Sequence, residues 1–380
     1  MLCVLSDFEH IRPRNEIAQE KIQEWIIETH VLAVHGQPNE AAETFREELR
    51  HKVGRLGLGK ERIETRGIHI TDFVEEDWSK MEIYSVLENP KGHGFEKRSS
   101  LFDREVSKIF ERFYPEKAPM PAHLIHVTCT GYVAPSPAQK LVSLRNAGQT
   151  TTVTNAYHMG CYGAVPAIRM GAGFSSLPSL SPSSHIDIVH TEFCSLHMHP
   201  LRHASEQMLV QSLFADGFIK YTLSSQSPDK VHLKVLALHE ETIPNSTHCM
   251  TWRCEDNGLG MTLSKEVPAL IARTIKGYCQ RLCTLAGLEY DAFIGNALFA
   301  IHPGGPKILQ QITDLLALEP DQIDHSVQVL KQFGNMSSAT IPHIWEKMLS
   351  DPLVPYGKRI ISLAFGPGLS VSGGLFEKGR

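Results

Sequence analysis

Asn155-Ala-Tyr-His-Met-Gly160-Cys161-Tyr-Gly163-Ala-Val-Pro-Ala-Ile-Arg-Met-Gly171 sets one cysteine between two glycines and a run of small and apolar residues with helical spacing. The segment before it, Gln149-Thr-Thr-Thr-Val-Thr154, has the β-branched content of a short strand. Strand, tight turn and helix place Cys161 at or near a helix N-terminus, where unpaired backbone N–H groups favour thiolate over thiol. Gly160 and Gly163 allow a sharp backbone and leave room for a substrate carbonyl beside the sulfur. A cysteine taken alone is more often a buried structural thiol, so the decision rests on what lies downstream.

Three downstream pieces bear on it. Ala300-Ile-His302-Pro-Gly-Gly305 ends a short apolar run and opens a helix at Pro306. Gly334-Asn335-Met-Ser-Ser-Ala339 stands at the mouth of another apolar helical pattern, and Ala364-Phe-Gly366-Pro367-Gly368-Leu369 closes a strand. With these four motifs in this order and at these separations, the chain resembles the type III polyketide synthases, the chalcone-synthase-like branch of the thiolase-fold condensing enzymes. The resemblance runs from about Phe45 to the C-terminus and is poor over the first forty residues. It implies an α/β, thiolase-like fold of two pseudo-duplicated halves in five αβαβα layers. Residues 1–228 would carry the nucleophilic cysteine and 229–380 the histidine and asparagine. It also implies a homodimer, and coenzyme A or phosphopantetheine thioesters as substrates rather than a permanently bound cofactor.

Composition sets wider bounds. A chain of 380 residues suffices for two domains or one large duplicated one, and its net charge of −5 argues against a general nucleic-acid binder. No apolar run reaches the length of a membrane span, and the N-terminus lacks a basic region followed by a long apolar core, so the expected location is cytoplasmic. Eight cysteines without paired spacing fit reduced thiols better than a disulfide framework.

Along the chain, a strand and a helix striped by Ile17, Ile22, Trp25 and Ile26 fill the first 36 residues, and residues 40–66 read as helical. Gly54-Arg-Leu-Gly-Leu-Gly59-Lys60-Glu61 imitates a phosphate loop, but Glu61 stands where Ser or Thr must hold magnesium, and the segment follows a helical pattern rather than a strand. Arg55, Lys60, Arg62 and Arg66 form a basic cluster suited to the phosphates of a pantetheine carrier. A solvated face paired with Glu47, Glu48, Glu61 and Glu64 is the competing view. A helix over 97–115, strands at Ala122–Thr128, Ile186–His190 and Val231–Leu238, a Ser/Pro-rich loop from Ser175 to Ser184 and a long helix over Val267–Gly287 complete the outline.

Cys194-Ser-Leu-His197-Met-His199-Pro-Leu-Arg-His203 could be taken for a zinc site, yet its spacing fits no common structural pattern and Pro200 interrupts it, so no metal is expected. By resemblance this stretch is instead cavity wall, with His197 where many family members carry a small residue. The resemblance likewise places Thr130 in the acyl cavity, Phe214 at the passage into it and Met261 at a second guarding position usually held by an aromatic. Ala134 falls where plant members carry a bulkier Met, in a segment whose continuation reaches across the dimer interface.

The chemistry follows from the side chains. Joining an acyl group to a malonyl thioester needs a nucleophile to hold the acyl group, loss of carbon dioxide and stabilisation of the resulting enolate. Cys161 suits the first role, since a thiolate exchanges with carrier thioesters. His302 can partner the sulfur and donate to the thioester carbonyl, and the Asn335 side chain can donate to the same oxygen as it becomes negative. Gly366, Pro367 and Gly368 let backbone pass close to the reacting centre. The product expected is a polyketide such as a pyrone or resorcinol. A degradative thiolase would want a second cysteine near the C-terminus, where the tail has none. A carrier-protein-dependent ketoacyl synthase is the alternative, echoed by Ser338-Ala-Thr-Ile-Pro342. An inactive scaffold is disfavoured by the intact Cys161, His302 and Asn335.

Overall fold

The computed structural model describes residues 3–176 and 185–380. Thirteen strands are defined among them: β1 Val4–Ile11, β2 Asn15–Ala18, β3 Thr65–Ile68, β4 His123–Thr128, β5 Thr152–Tyr157, β6 Ile186–Glu192, β7 Gly217–Ser224, β8 His232–Thr242, β9 Met250–Glu255, β10 Gly258–Leu263, β11 Leu298–Ile301, β12 Arg359–Gly366 and β13 Ser370–Gly379. The α-helices are α1 Gln19–His35, α2 Glu40–Gly54, α3 Phe95–Phe113, α4 Pro137–Leu144, α5 Ala164–Phe174, α6 Ser205–Leu213, α7 Val267–Leu285, α8 Tyr290–Phe293, α9 Pro306–Leu316, α10 Pro320–Phe333 and α11 Thr340–Ser350.

Nine strands form one ladder in the order β11-β12-β13-β8-β1-β7-β6-β4-β5. Within this ladder the two halves of the chain join at β1 and β8, through Val4↔Lys234 and Leu5↔Leu233. On each side of this seam the directions repeat. β1 runs antiparallel to β7, β7 antiparallel to β6, and β6 parallel to β4. Likewise β8 runs antiparallel to β13, β13 antiparallel to β12, and β12 parallel to β11. This is the internal duplication of the thiolase-like fold.

The layers follow from side-chain alternation along these strands. In the first half Leu124, Val189 and Phe218 face an outer core built with Ile22, Ile26, Phe102, Val106 and Phe110 of α1 and α3. Their neighbours Ile125, Ile188 and Ile219 face a central core shared with Ala164, Ala167 and Ile168 of α5 and with Ile341, Ile344 and Trp345 of α11. In the second half Ala300, Ile360 and Ala364 turn to the same central core, while Phe299, Ile361 and Leu363 turn to a third one with Ile271, Ile275 and Ile312 of α7 and α9. Helix, sheet, helix, sheet, helix is the five-layer arrangement that the resemblance implied. No helix among the described residues is long and apolar enough to cross a membrane.

Local expectations fare unevenly. The long helix begins at Val267 with Pro268 in its first turn and stops before Gly287, whose φ of +69° needs a glycine. The strand before Cys161 lies later than the threonine run suggested, because Thr152–Tyr157 pairs in parallel with β4 while Gln149–Thr151 precede it in a turn. The helix expected over 40–66 ends at Gly54, and a loop leads to β3. Of the Ser175–Ser184 loop, residues 177–184 lie outside the described residues.

Candidate active site

Cys161 sits in a single 3₁₀ turn, Gly160–Tyr162, between β5 and α5. Gly160 has φ +74°, and a Cβ there would stand 2.6 Å from Cδ of Pro367, so the turn accepts only glycine and rests directly on the Gly366–Gly368 loop. The Cys161 sulfur is buried and 3.5 Å from Oγ of Ser337. The same hydroxyl is 2.8 Å from Sγ of Cys129, so the two thiols share one partner.

The electrostatics correct one expectation. Burial pushes the Cys161 thiol up to about 12, and the Ser337 hydroxyl offsets only part of that. Burial and the Glu192 charge both favour the thiol, against the Ser337 hydroxyl and the local backbone. Burial likewise holds the His302 imidazole down to about 3. Both shifts favour the neutral forms, a thiol and an imidazole, in the resting site.

His302 extends β11, its N–H donating to Leu363 O at 2.7 Å, and both of its ring nitrogens are buried without a protein partner. Asn335 is held by backbone: its N–H donates to Leu213 O and its C=O accepts from Ala215 N–H. Its Oδ1 accepts the N–H of Ser337 at 2.9 Å, leaving Nδ2 as a buried donor with no protein acceptor. Free buried donors of this kind are uncommon and mark either strain or a missing ligand.

Cys161 lines an apolar cavity with Thr130, His197, Phe214, Met261 and Pro367, five of the residues assigned to it from sequence. Gly366 and Gly368 do not line it. A Cβ on Gly366 would lie 2.4 Å from the Tyr162 ring, so that glycine serves the backing of the turn rather than the cavity wall. His302 and Asn335 also lie off the cavity wall as it stands. The open room is small, ≈ 60 Å³, so an acyl chain would need the adaptable Met198, Met250 and Met261 side chains to give way.

Of the His-rich stretch, Cys194, His197 and His199 line the cavity. His197 bridges Thr130 O, at 2.7 Å from Nε2, and the N–H of Leu259, at 3.1 Å from Nδ1, so both nitrogens are used and burial keeps the ring neutral. His199 bonds Leu259 O. Among the described residues, the grouping of His, Cys and carboxylate atoms close enough for an ion is His248, Cys249 and Glu266, none of which lines the cavity.

Of the basic cluster, Arg55, Lys60 and Arg62 are exposed and remain available to a carrier. Arg66 is not. Strand β3 pairs it with Ile17 and turns it inward, where it is 1% exposed and lines the cavity.

Sequence reading missed the buried polar floor. Glu192 ends β6 and accepts from Thr130 Oγ1 at 2.7 Å, from Ser338 Oγ and from the Cys129 N–H at 3.1 Å. Burial raises its carboxyl, and these donors pull the other way. The available signal was a glutamate ending a fully buried strand that also carries Asp187, His190 and Thr191.

Comparison with known proteins places the chain among relatives. The family profile for chalcone and stilbene synthases, C-terminal domain, matches residues 234–378. The chain is 31% identical over 255 residues to probable polyketide synthase 1 of Dictyostelium discoideum, covering 66% of this chain and 8% of that one. It is 29% identical to type III polyketide synthase A of Arabidopsis thaliana over 225 residues, 57% of this chain and 55% of that one. It thus spans only a fraction of the first relative and about half of the second. It is 26% identical to 1,3,6,8-tetrahydroxynaphthalene synthase of Streptomyces coelicolor over 322 residues, 83% of this chain and 81% of that one. Among solved structures, the type III domain of Steely1 from Dictyostelium superimposes with a TM-score of 0.81 at 23% identity, covering 100% of both chains. A polyketide synthase of the brown alga Ectocarpus siliculosus gives 0.83 at 20% identity, over 99% of this chain and 98% of that one.

Proposed function

This chain belongs to the type III polyketide synthase family, and from that membership we propose that it is a condensing acyltransferase in which Cys161 carries the acyl group. The neutral Cys161 thiol attacks an acyl thioester, its proton passing to the His302 imidazole and on to the departing carrier thiolate. A malonyl-type thioester then binds, loses carbon dioxide and leaves an enolate, whose oxygen takes hydrogen bonds from His302 and from Asn335 Nδ2. The enolate carbon attacks the acyl carbonyl on Cys161, forming the new carbon–carbon bond and releasing the sulfur. Repetition and ring closure would give a polyketide such as a pyrone or resorcinol.

The observation that carries this reading is the state of Asn335. Its oxygen is committed to a backbone N–H, its amino group is buried and unpaired, and His302 likewise has two buried, unpaired ring nitrogens. A fold that leaves such donors empty supports a transient oxyanion as their partner. Arg55, Lys60 and Arg62 supply exposed positive charge for the phosphates of a coenzyme A or phosphopantetheine thioester. The working unit is taken as a homodimer, without a resident metal or cofactor.

The test is retention of label from a radiolabelled acyl-coenzyme A on the protein, followed by product analysis with malonyl-coenzyme A. Loading should vanish in Cys161→Ala and survive in Cys129→Ala and Cys194→Ala. Label persisting in Cys161→Ala would overturn the assignment.

A further inference from the structure

Arg66 has a place in the fold that neither a carrier-phosphate role nor a purely structural one explains. Its Nη1 donates to Gln211 O at 2.8 Å and to Phe214 O at 2.7 Å, capping the carbonyls that α6 leaves open at its end. Its Nε and Nη2 are buried and have no partner. Burial pulls its pKa down to about 9, with Asp216 and Cys194 acting the other way, and the group stays cationic at neutral pH.

Neither donor reaches an acceptor within the fold. Asp216, the acid that acts on it electrostatically, spends one oxygen on the Ser195 N–H and the other on Ser195 Oγ and the His69 N–H. The Gln211 oxygen is 2.8 Å from Nε2 of His30. The arginine stem is fixed as well, since a Cβ on Gly334 would fall 2.9 Å from Arg66 Cγ. The guanidinium therefore cannot leave for water, and it lines the cavity that holds Cys161.

Nε and Nη2 form one edge of the guanidinium, two parallel N–H donors spaced to meet two oxygens in a plane. We propose that Arg66 is an anion anchor in the wall of the acyl cavity, binding a planar two-oxygen anion borne by the acyl chain. Two sources share that chemistry: a carboxylate at the far end of a starter acyl group, and the enolate of a 1,3-diketone in the growing chain. The inference rests on Cys161 as the acyl carrier only for which source applies. Anion binding itself is independent of that reading.

Octanoate and octanamide, matched in length and differing in charge, test it on the intact wild-type chain. Octanoate should bind at least about tenfold tighter by calorimetry, and a crystal structure should show its carboxylate on Nε and Nη2 of Arg66. Equal binding, or a carboxylate seated elsewhere, would overturn the proposal whether or not Cys161 loads. In Arg66→Gln, which keeps an amide N–H for the Gln211 and Phe214 carbonyls, the preference should fall to near one. A preference unchanged in a folded Arg66→Gln would equally overturn it. Suberoyl- and octanoyl-coenzyme A then separate the sources. A starter carboxylate predicts that the suberoyl-to-octanoyl loading ratio drops about tenfold in Arg66→Gln, and a growing-chain enolate predicts an unchanged ratio with fewer extensions per product. Failure of the wild type to load either thioester would instead strike at Cys161.

Discussion

The N–H of Ser337 donates to Oδ1 of Asn335 at 2.9 Å, across a turn in which Ser337 itself takes φ +50°. A non-glycine residue in that region costs of order 1–3 kcal/mol, and here the conformation aims one N–H at Asn335 and the Ser337 hydroxyl at two sulfurs. The orientation of the amide follows: oxygen bound, amino group buried and empty.

Asn335→Ala should therefore keep acyl loading on Cys161 while losing malonyl decarboxylation by about 10²–10³, the range typical of one oxyanion donor. Asn335→Asp replaces the donor with an acceptor and should be at least as poor. Separate assays of label retention and carbon dioxide release check both. Equal loss of the two half-reactions in Asn335→Ala would mean that the side chain only shapes the turn.

Ser337→Ala removes the hydroxyl that stabilises the Cys161 thiolate. Loss of a donor to the charged form moves the thiol pKa further up, so the thiolate fraction at a fixed neutral pH falls. Alkylation of Cys161 by iodoacetamide at pH 7–8 should slow about three- to tenfold, the span of roughly half to one pKa unit. An unchanged rate would show that the 3.5 Å contact carries no electrostatic weight.

How far these features could be read beforehand depended on their range in sequence. Cys161, His302 and Asn335 each sit inside a local signature of glycines and turns, and backbone conformation is written locally. Gly160 and Pro367 are far apart in the chain, yet both were visible because each stands in its own motif. Arg66 misled for the opposite reason: a run of basic residues says nothing about which one a short strand turns inward, and β3 turns Arg66 and leaves Arg62 outside. Glu192 and the hydroxyls around it belong to three separate segments, and no spacing within any of them announces the contact. The thiolate expectation weighed a turn and a helix end that local sequence shows, and left out the burial that pushes the Cys161 thiol up, which it does not show.

Gly160→Ala should be among the more damaging single-methyl substitutions in the molecule. It forces alanine to φ +74° and drives its Cβ to 2.6 Å from a proline ring that cannot swing aside. The expected loss is more than about 1 kcal/mol of stability, with acyl loading reduced because the turn carrying Cys161 must shift. Gly173→Ala, where an added Cβ meets nothing within 4 Å, is the control and should be near neutral. Thermal melts of the two variants against wild type settle the comparison.

The last expectation concerns acid. His126, His190, His197 and His302 are each held near 3 in the folded chain, and His30, His69 and His343 near 4, in every case chiefly by burial. In the unfolded chain a histidine titrates near 6.5. Between these values the unfolded state binds protons that the native state refuses, so stability rises with pH there and is complete only above about 6.5. As pH falls from 7 towards 4 the melting temperature should drop steadily, and more steeply than for a protein whose histidines lie at the surface. His197→Gln tests the origin of the effect, because an amide can still meet the Thr130 carbonyl and the Leu259 N–H without a titratable proton. That variant should lose less stability than wild type on going from pH 7 to pH 5. A melting temperature flat across that interval would show that these rings are not neutral in the native protein, and the neutral His302 assumed for proton transfer from Cys161 would fall with it.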